Sequence, residues 1–200
     1  TYSFVNPHFQ NLLFPDRKSI NLVNPISPET SVMRLSIWPG LINSALYNLN
    51  RQKTRIRLFE IGQCFPADGK DLTHYETKCA GLICGDRYET NWSNPREMTD
   101  FFDLKGDVES ILNALVGEKN YEFCAKSFEF FHPGQSAQIL INDEVVGVLG
   151  NLHPSLANEF GFKQSVYLFD INLGSIDAKS ETQFTTLSKF PEVKRDLSFM

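Results

Sequence analysis

The sequence predicts an α+β domain, a largely antiparallel sheet flanked by helices, and three observations carry that reading. Runs such as Arg55 Ile56 Arg57 Leu58 Phe59 Glu60 Ile61 and Val166 Tyr167 Leu168 Phe169 are rich in β-branched and aromatic residues, the composition of strands. Residues 41–51 and 101–115 repeat their apolar positions with the period of a helix packed on one side. Turn clusters such as Asn142 Asp143 Glu144 separate strand-like runs by a few residues, and connections that short join antiparallel neighbours.

In chain order, Ser19 Ile20 Asn21 Leu22 Val23 reads as a short strand ended by Asn24 Pro25. A loop with further prolines leads to Met33 Arg34 Leu35 Ser36 Ile37 Trp38, an extended run that turns at Pro39 Gly40 into a helix over 41–51. Residues 55–65 form a strand stopped near Pro66 Ala67 Asp68 Gly69, residues 68–77 read as a polar hairpin tip, and 78–84 return as the next strand. Residues 86–97 read as a loop with Trp92 among polar neighbours. Phe101, Leu104, Val108, Ile111, Leu112 and Leu115 keep helical spacing, and Gly117 is placed to stop that helix. Strands follow at 121–131 and 137–141, then the hairpin over Asn142 Asp143 Glu144 and a strand at 145–149. Pro154 opens a short helix that ends at Phe160 with Gly161 just past it. A last strand at 166–173 precedes a polar linker over 174–183, and no repeat or low-complexity tract interrupts the pattern.

The words inside these elements point to a family. Met33 to Leu41, Arg57 Leu58 Phe59 Glu60 Ile61 Gly62, Asn24 Pro25 Ile26 Ser27 Pro28 Glu29, Phe102 Asp103 Leu104 Lys105 Gly106 Asp107 Val108 Glu109, Phe131 His132 Pro133 Gly134 Gln135 Ser136 Ala137 and Val148 Leu149 Gly150 Asn151 Leu152 His153 Pro154 are the blocks concerned. Together they resemble the synthetase-like core domain of the bacterial-type phenylalanyl-tRNA synthetase β-subunit family, and the strand, helix and strand bearing Arg and Glu resemble a class II aminoacyl-tRNA synthetase core. Phe190 Pro191 Glu192 Val193 Lys194 Arg195 Asp196 Leu197 Ser198 Phe199 resembles the opening strand of that family's anticodon-binding domain. The resemblance divides the chain into a catalytically silent class II synthetase-like domain, 1–180, and a linker with the truncated first strand of the next domain, 181–200. It implies a non-catalytic scaffold that pairs with a catalytic α subunit in an (αβ)2 assembly. That assembly attaches phenylalanine to tRNA with ATP and Mg2+; by this reading the fragment itself binds no cofactor and meets tRNA only through the holoenzyme.

Composition fits one globular domain cut from a longer chain. At 200 residues, 42% hydrophobic and 22% charged, it can bury a core without disulfides or metals. It opens at Thr1 without a methionine and stops at Met200 inside a strand-like run. No run approaches the roughly 20 apolar residues that span a bilayer, and no signal-peptide pattern opens the chain, so a cytoplasmic protein without membrane contact is expected. A net charge of -5 argues against a surface dominated by phosphate contacts. Arg51, Lys53, Arg55 and Arg57 form the dense basic run, which an exposed helix end and strand explain without RNA. Cys64, Cys79, Cys84 and Cys124 lack a C-x-x-C pair and read as buried free thiols, not a metal site.

What is missing bears on the chemistry. A class II site neutralises ATP phosphates with an arginine on its motif-two strand and another in a late Gly-x-Gly-x-x-x-Arg segment. Arg57 and Glu60 are motif-two-like in outline, although an Arg and a Glu on a strand arise often by chance and a surface or interface pair is the simpler reading. Where the second element is expected stands Tyr167 Leu168 Phe169 Asp170 Ile171 Asn172 Leu173 Gly174, without paired glycines or an arginine. No catalytic residue and no metal ligand is therefore assigned. His8, His74, His132 and His153 lie apart beside loop residues, and those before proline read as turn caps; Ser136 lacks a nucleophile-elbow pattern. Phe128, Phe130 and Phe131, among 17 phenylalanines, read as core and interface aromatics. Arg34, Trp38 and Leu41 are the interface candidates, because Trp and Arg most often anchor interfaces, with a core role competing for Trp38. Two other functions fit such a domain: an independent class II-like enzyme that activates an amino acid, and a small-ligand-binding regulatory domain with the same fold.

Overall fold

The computed structural model describes residues 1–66, 75–89, 91–117, 120–176 and 195–198. The elements run β1 (Phe4–Val5), α1 (Pro7–Leu13), β2 (Val32–Met33), α2 (Trp38–Leu49), β3 (Arg55–Cys64), β4 (Glu76–Gly85), α3 (Phe101–Val116), β5 (Glu122–Ala125), β6 (Phe131–Ile141), β7 (Glu144–Leu152), α4 (Pro154–Phe160) and β8 (Val166–Asn172), with short 3-10 turns at Pro28–Thr30 and Leu173–Ser175. Strands β3 to β8 make one six-stranded sheet in the order β3-β4-β8-β7-β6-β5, antiparallel throughout, and β1 pairs with β2 beside it.

Strand alternation sends successive side chains to opposite faces, and each face is covered differently. Ala80, Leu82 and Cys84 of β4 and Val166 and Leu168 of β8 pack with Leu13 of α1, Ile37 to Ala45 around α2, and Ala157 and Phe160 of α4. Cys79, Ile83, Tyr167, Phe169 and Ile171 point the other way, onto Leu104, Val108 and Leu112 of α3. Helix α3 follows its sequence signals: Asp100 and Asp103 form a reciprocal capping box, and Gly117 ends it at φ 83. Helix α4 is capped by the His153 side chain, which accepts from the Ser155 N–H, and closes at left-handed Gly161.

Several expectations shift. The helix over 41–51 begins earlier, at Trp38: Pro39 sits in its first turn, where no helical partner exists for the N–H that proline lacks. Residues 19–23 form no strand; only Asn21 makes a bridge, to Val32. Helix α1, capped by Asn6 with Pro7 at its start, had no counterpart in the sequence reading. Of the run 121–131, Glu122–Ala125 forms β5 and Phe131 opens β6; between them Phe128 packs on Phe130 and Phe131, which in turn pack on Trp38. Strand β6 then runs through Pro133 and Gly134 with a register shift between Phe131 and Ser136. The β6–β7 hairpin turns on Asn142 and Asp143, both at positive φ, as a two-residue turn of this hand requires. Of the tip at 68–77, Glu76 and Thr77 belong to β4 and 68–74 lie outside the described residues. The domain boundary near 180 lies outside them too; of the stretch beyond it only 195–198 is described, with Leu197 exposed.

Candidate functional site

Arg34, Trp38 and Leu41 all face inward, at 3%, 2% and 3% exposed. The Arg34 guanidinium crosses the sheet edge: Nε donates to the Gln63 carbonyl at 2.8 Å and Nη1 to Glu60 Oε1 at 2.6 Å. It lies close over Gly62, where a Cβ would meet Nη2 at 2.2 Å, so a larger residue there would push the guanidinium aside. Trp38 sits in an aromatic cluster with Phe14, Phe130 and Phe131, ring centroids 5.3 to 6.1 Å away, and its Nε1 donates to the Phe169 carbonyl at 2.9 Å. These residues fix the β2–α2 segment against the sheet from within. The outward side of α2 is instead represented by exposed Tyr47, with the Arg51 guanidinium 3.3 Å from its ring centre.

Arg57 and Glu60 do not converge. Three residues apart on a strand without register shift, they leave opposite faces of β3. Arg57 reaches α3, where Nη1 meets Asp107 Oδ2 at 2.7 Å. Glu60 lies on the α2 side with Arg34 and Thr1. Burial alone would raise its carboxyl, but hydrogen bonds from Thr1 and from the Arg34 guanidinium outweigh it and hold the pKa below the ordinary value. Both groups of the motif-two-like pair are thus spent on separate internal partners.

The sheet also holds a buried polar cluster that the sequence reading did not single out. Asp170 of β8 meets Lys78 Nζ at 3.3 Å and accepts from Ser36 Oγ at 3.5 Å, while Lys78 also meets Glu76 at 3.2 Å. Burial pushes the Asp170 carboxyl up, with Lys78 offsetting only part of the effect. Burial would lower Lys78, yet Asp170 and Glu76 outweigh it and hold the ammonium above its usual pKa. The signal was present: a lone aspartate inside the apolar run Val166–Asn172 needs a partner wherever the strand is buried.

The remaining polar residues are structural. Cys64, Cys79 and Cys84 are buried, and burial pushes the Cys64 thiol up to about 12 and that of Cys84 to about 11; Cys124 is half-buried. Among the described residues no cluster of three or more His, Cys, Asp or Glu side chains is placed to hold a metal. His132 Nδ1 accepts from the Gly134 N–H and His153 caps α4, while Ser136 Oγ donates to the Lys126 carbonyl at 2.6 Å. His74 lies outside the described residues. In the basic run, Arg55 Nε donates to the Arg87 carbonyl and Arg57 is paired with Asp107, so Arg51 and Lys53 are its outward members.

The six-stranded antiparallel sheet between helices is an arrangement also found in a solved aminoacyl-tRNA synthetase. The solved pyrrolysyl-tRNA synthetase from Desulfitobacterium hafniense shares it at a TM-score of 0.62, covering 86% of this chain and 58% of that one; at 15% identity the likeness concerns the fold alone. The chain belongs to the family described as the phenylalanyl tRNA synthetase beta chain CLM domain, whose model matches residues 1–173. Similar proteins include the phenylalanine–tRNA ligase beta subunits of Legionella pneumophila (strain Lens), 44% identical over 201 residues, Nitrosococcus oceani, 46% over 202, and Coxiella burnetii, 40% over 200. Each match covers 100% of this chain and 25% of the relative, so the chain spans about a quarter of their length.

Proposed function

We propose that this chain is a non-catalytic, class II-like scaffold domain of a phenylalanine–tRNA ligase β subunit. It pairs with the catalytic α subunit in an (αβ)2 assembly of the cytoplasm and so supports ATP-dependent attachment of phenylalanine to tRNA. ATP and Mg2+ are used elsewhere in the holoenzyme, and tRNA is met through the assembly.

One observation carries the reading. A catalytic site of this kind needs a cation free for its substrate phosphates. Here Arg34 and Arg57, the arginines nearest such a role, are neutralised by Glu60 and Asp107, and α1, α2 and α4 cover one face of the sheet while α3 covers part of the other. Arg34, Trp38 and Leu41 serve the interface from beneath by fixing α2, whose outward Tyr47, with Arg51 just past the helix end, is presented to the partner. Among the described residues no helix is long and apolar enough to cross a membrane.

Co-expression of the α subunit with a full-length β subunit, intact or lacking this domain, tests the proposal. Deletion should abolish αβ assembly on size exclusion; an assembly that forms equally well without the domain overturns it.

A small-ligand-binding regulatory role is favoured by one feature, a cavity of about 440 Å3 at the start of α3 lined by Phe101, Phe102, Lys105, Phe123 and Tyr167. A rise in Tm with phenylalanine, ATP or a related small molecule would support that role, since a ligand that binds the native state stabilises it.

A further inference from the structure

Between β4 and α3 the chain projects as a narrow ribbon. The Thr99 N–H donates to the Gly85 carbonyl at 2.9 Å, the Arg87 N–H donates to the Glu97 carbonyl at 2.8 Å, and Asp86 bridges Met98 between them. Ion pairs brace it: Arg87 with Glu97 across the ribbon and with Asp103 on α3, and Arg96 with Asp86. At the far end, Asn91 Oδ1 accepts from the N–H groups of both Ser93 and Asn94 at 2.9 Å, a closed turn that holds Trp92 outward. Trp92 is 99% exposed, and Tyr88, Met98 and Phe102 at the ribbon's base are exposed as well.

Single exposed apolar residues are ordinary, but four large ones within fifteen positions, one of them a fully exposed tryptophan on a braced turn, are not. Holding the indole in place beforehand removes much of the ordering cost of docking it. We infer that this ribbon is an interaction arm whose Trp92 enters an apolar pocket on a second polypeptide. Resting on the scaffold reading above, that polypeptide is the α subunit. Charge selects protein over RNA. The ribbon sets Arg87 and Arg96, both already paired, against Asp86, Glu89 and Glu97, with Asp100 and Asp103 at its foot; a phosphate backbone meets net negative charge there. An indole leaving water for a well-packed pocket needs no such cation and is the commonest kind of interface anchor.

Hydroxyl-radical footprinting of the full-length β subunit, with oxidation at Trp92 read by mass spectrometry, tests the arm in three samples: β alone, β with α, and β with α and tRNA. Trp92 should be heavily oxidised in β alone and protected as soon as α is added. Protection that appears only with tRNA would make the arm an RNA contact and overturn the inference, as would equal oxidation in β alone and in the assembled holoenzyme. In either case an intact αβ assembly leaves the scaffold reading standing. If wild-type α and β fail to assemble at all, both readings fall. Trp92→Ala should weaken αβ association by about 30-fold or more, the size of an interface anchor, and Trp92→Phe by less. Because the side chain packs on nothing among the described residues, both variants should keep the wild-type Tm, so that lost affinity is not lost folding.

Discussion

The indole of Trp38 and the main-chain carbonyl of Phe169, 131 positions apart in sequence, are joined by a 2.9 Å hydrogen bond that ties the first turn of α2 to the centre of the sheet. Trp38→Phe keeps most of the packing with Phe14, Phe130 and Phe131 but strands that carbonyl, and should cost about 1–3 kcal/mol. Trp38→Ala also empties the cluster and should cost about 3–5 kcal/mol in urea unfolding. Equal effects of the two changes would show that the hydrogen bond, not the cluster, holds the segment.

Lys78→Met should destabilise the domain by about 3–5 kcal/mol, because it leaves the Asp170 carboxylate buried without its cation. Since burial raises the folded-state pKa of Asp170 above its unfolded value, its contribution is greatest below the ordinary carboxylate range and is lost as pH rises through the folded pKa. Removing the compensating cation enlarges that loss. Urea unfolding at several pH values should show the variant falling further behind the wild type as pH rises from the acid side; parallel profiles would contradict the assignment.

Glu60 works in the opposite sense. Its folded-state pKa lies below the unfolded value, so its stabilisation is present above the ordinary carboxylate range and is lost as pH falls through the lower folded pKa. Glu60→Gln should therefore flatten the acid limb of the stability profile, while lowering neutral-pH stability through the loss of a charged partner for buried Arg34. An unchanged acid limb would place the acid sensitivity elsewhere.

The thiols offer a check on burial. With the Cys64 thiol raised to about 12 and that of Cys84 to about 11, neither forms appreciable thiolate near neutrality, and both are buried. Peptide-mapped alkylation of the native protein should label half-buried Cys124 first and leave Cys64 and Cys84 until unfolding. Early labelling of Cys64 would mean that the β3 edge opens far more readily than its packing indicates.

Much of this fold is legible in the residues. Strands β3, β4 and β8 and helices α3 and α4 carry both a clear period and a chemical stop, such as Gly117 or Gly161, and fall within about two residues of expectation. Helix α1 escaped because seven residues are too short to display a period, although Asn6 and Pro7 announce its start. The segment 126–130 looked like strand because aromatic composition does not say whether phenylalanines face a neighbouring strand or a tryptophan. At the candidate site, the separation of Arg57 and Glu60 already implied opposite faces once their strand was assigned. That Arg34, Trp38 and Leu41 point inward, and that Asp107 and Lys78 supply the balancing charges, depends on contacts between elements far apart in sequence.

Phenylalanine-dependent ATP–pyrophosphate exchange by the isolated domain tests the scaffold account most directly. With Arg34 and Arg57 held by Glu60 and Asp107, the domain should give no exchange above a heat-killed control. Exchange above that control, abolished by Arg57→Ala, would contradict the account and make this domain an enzyme in its own right.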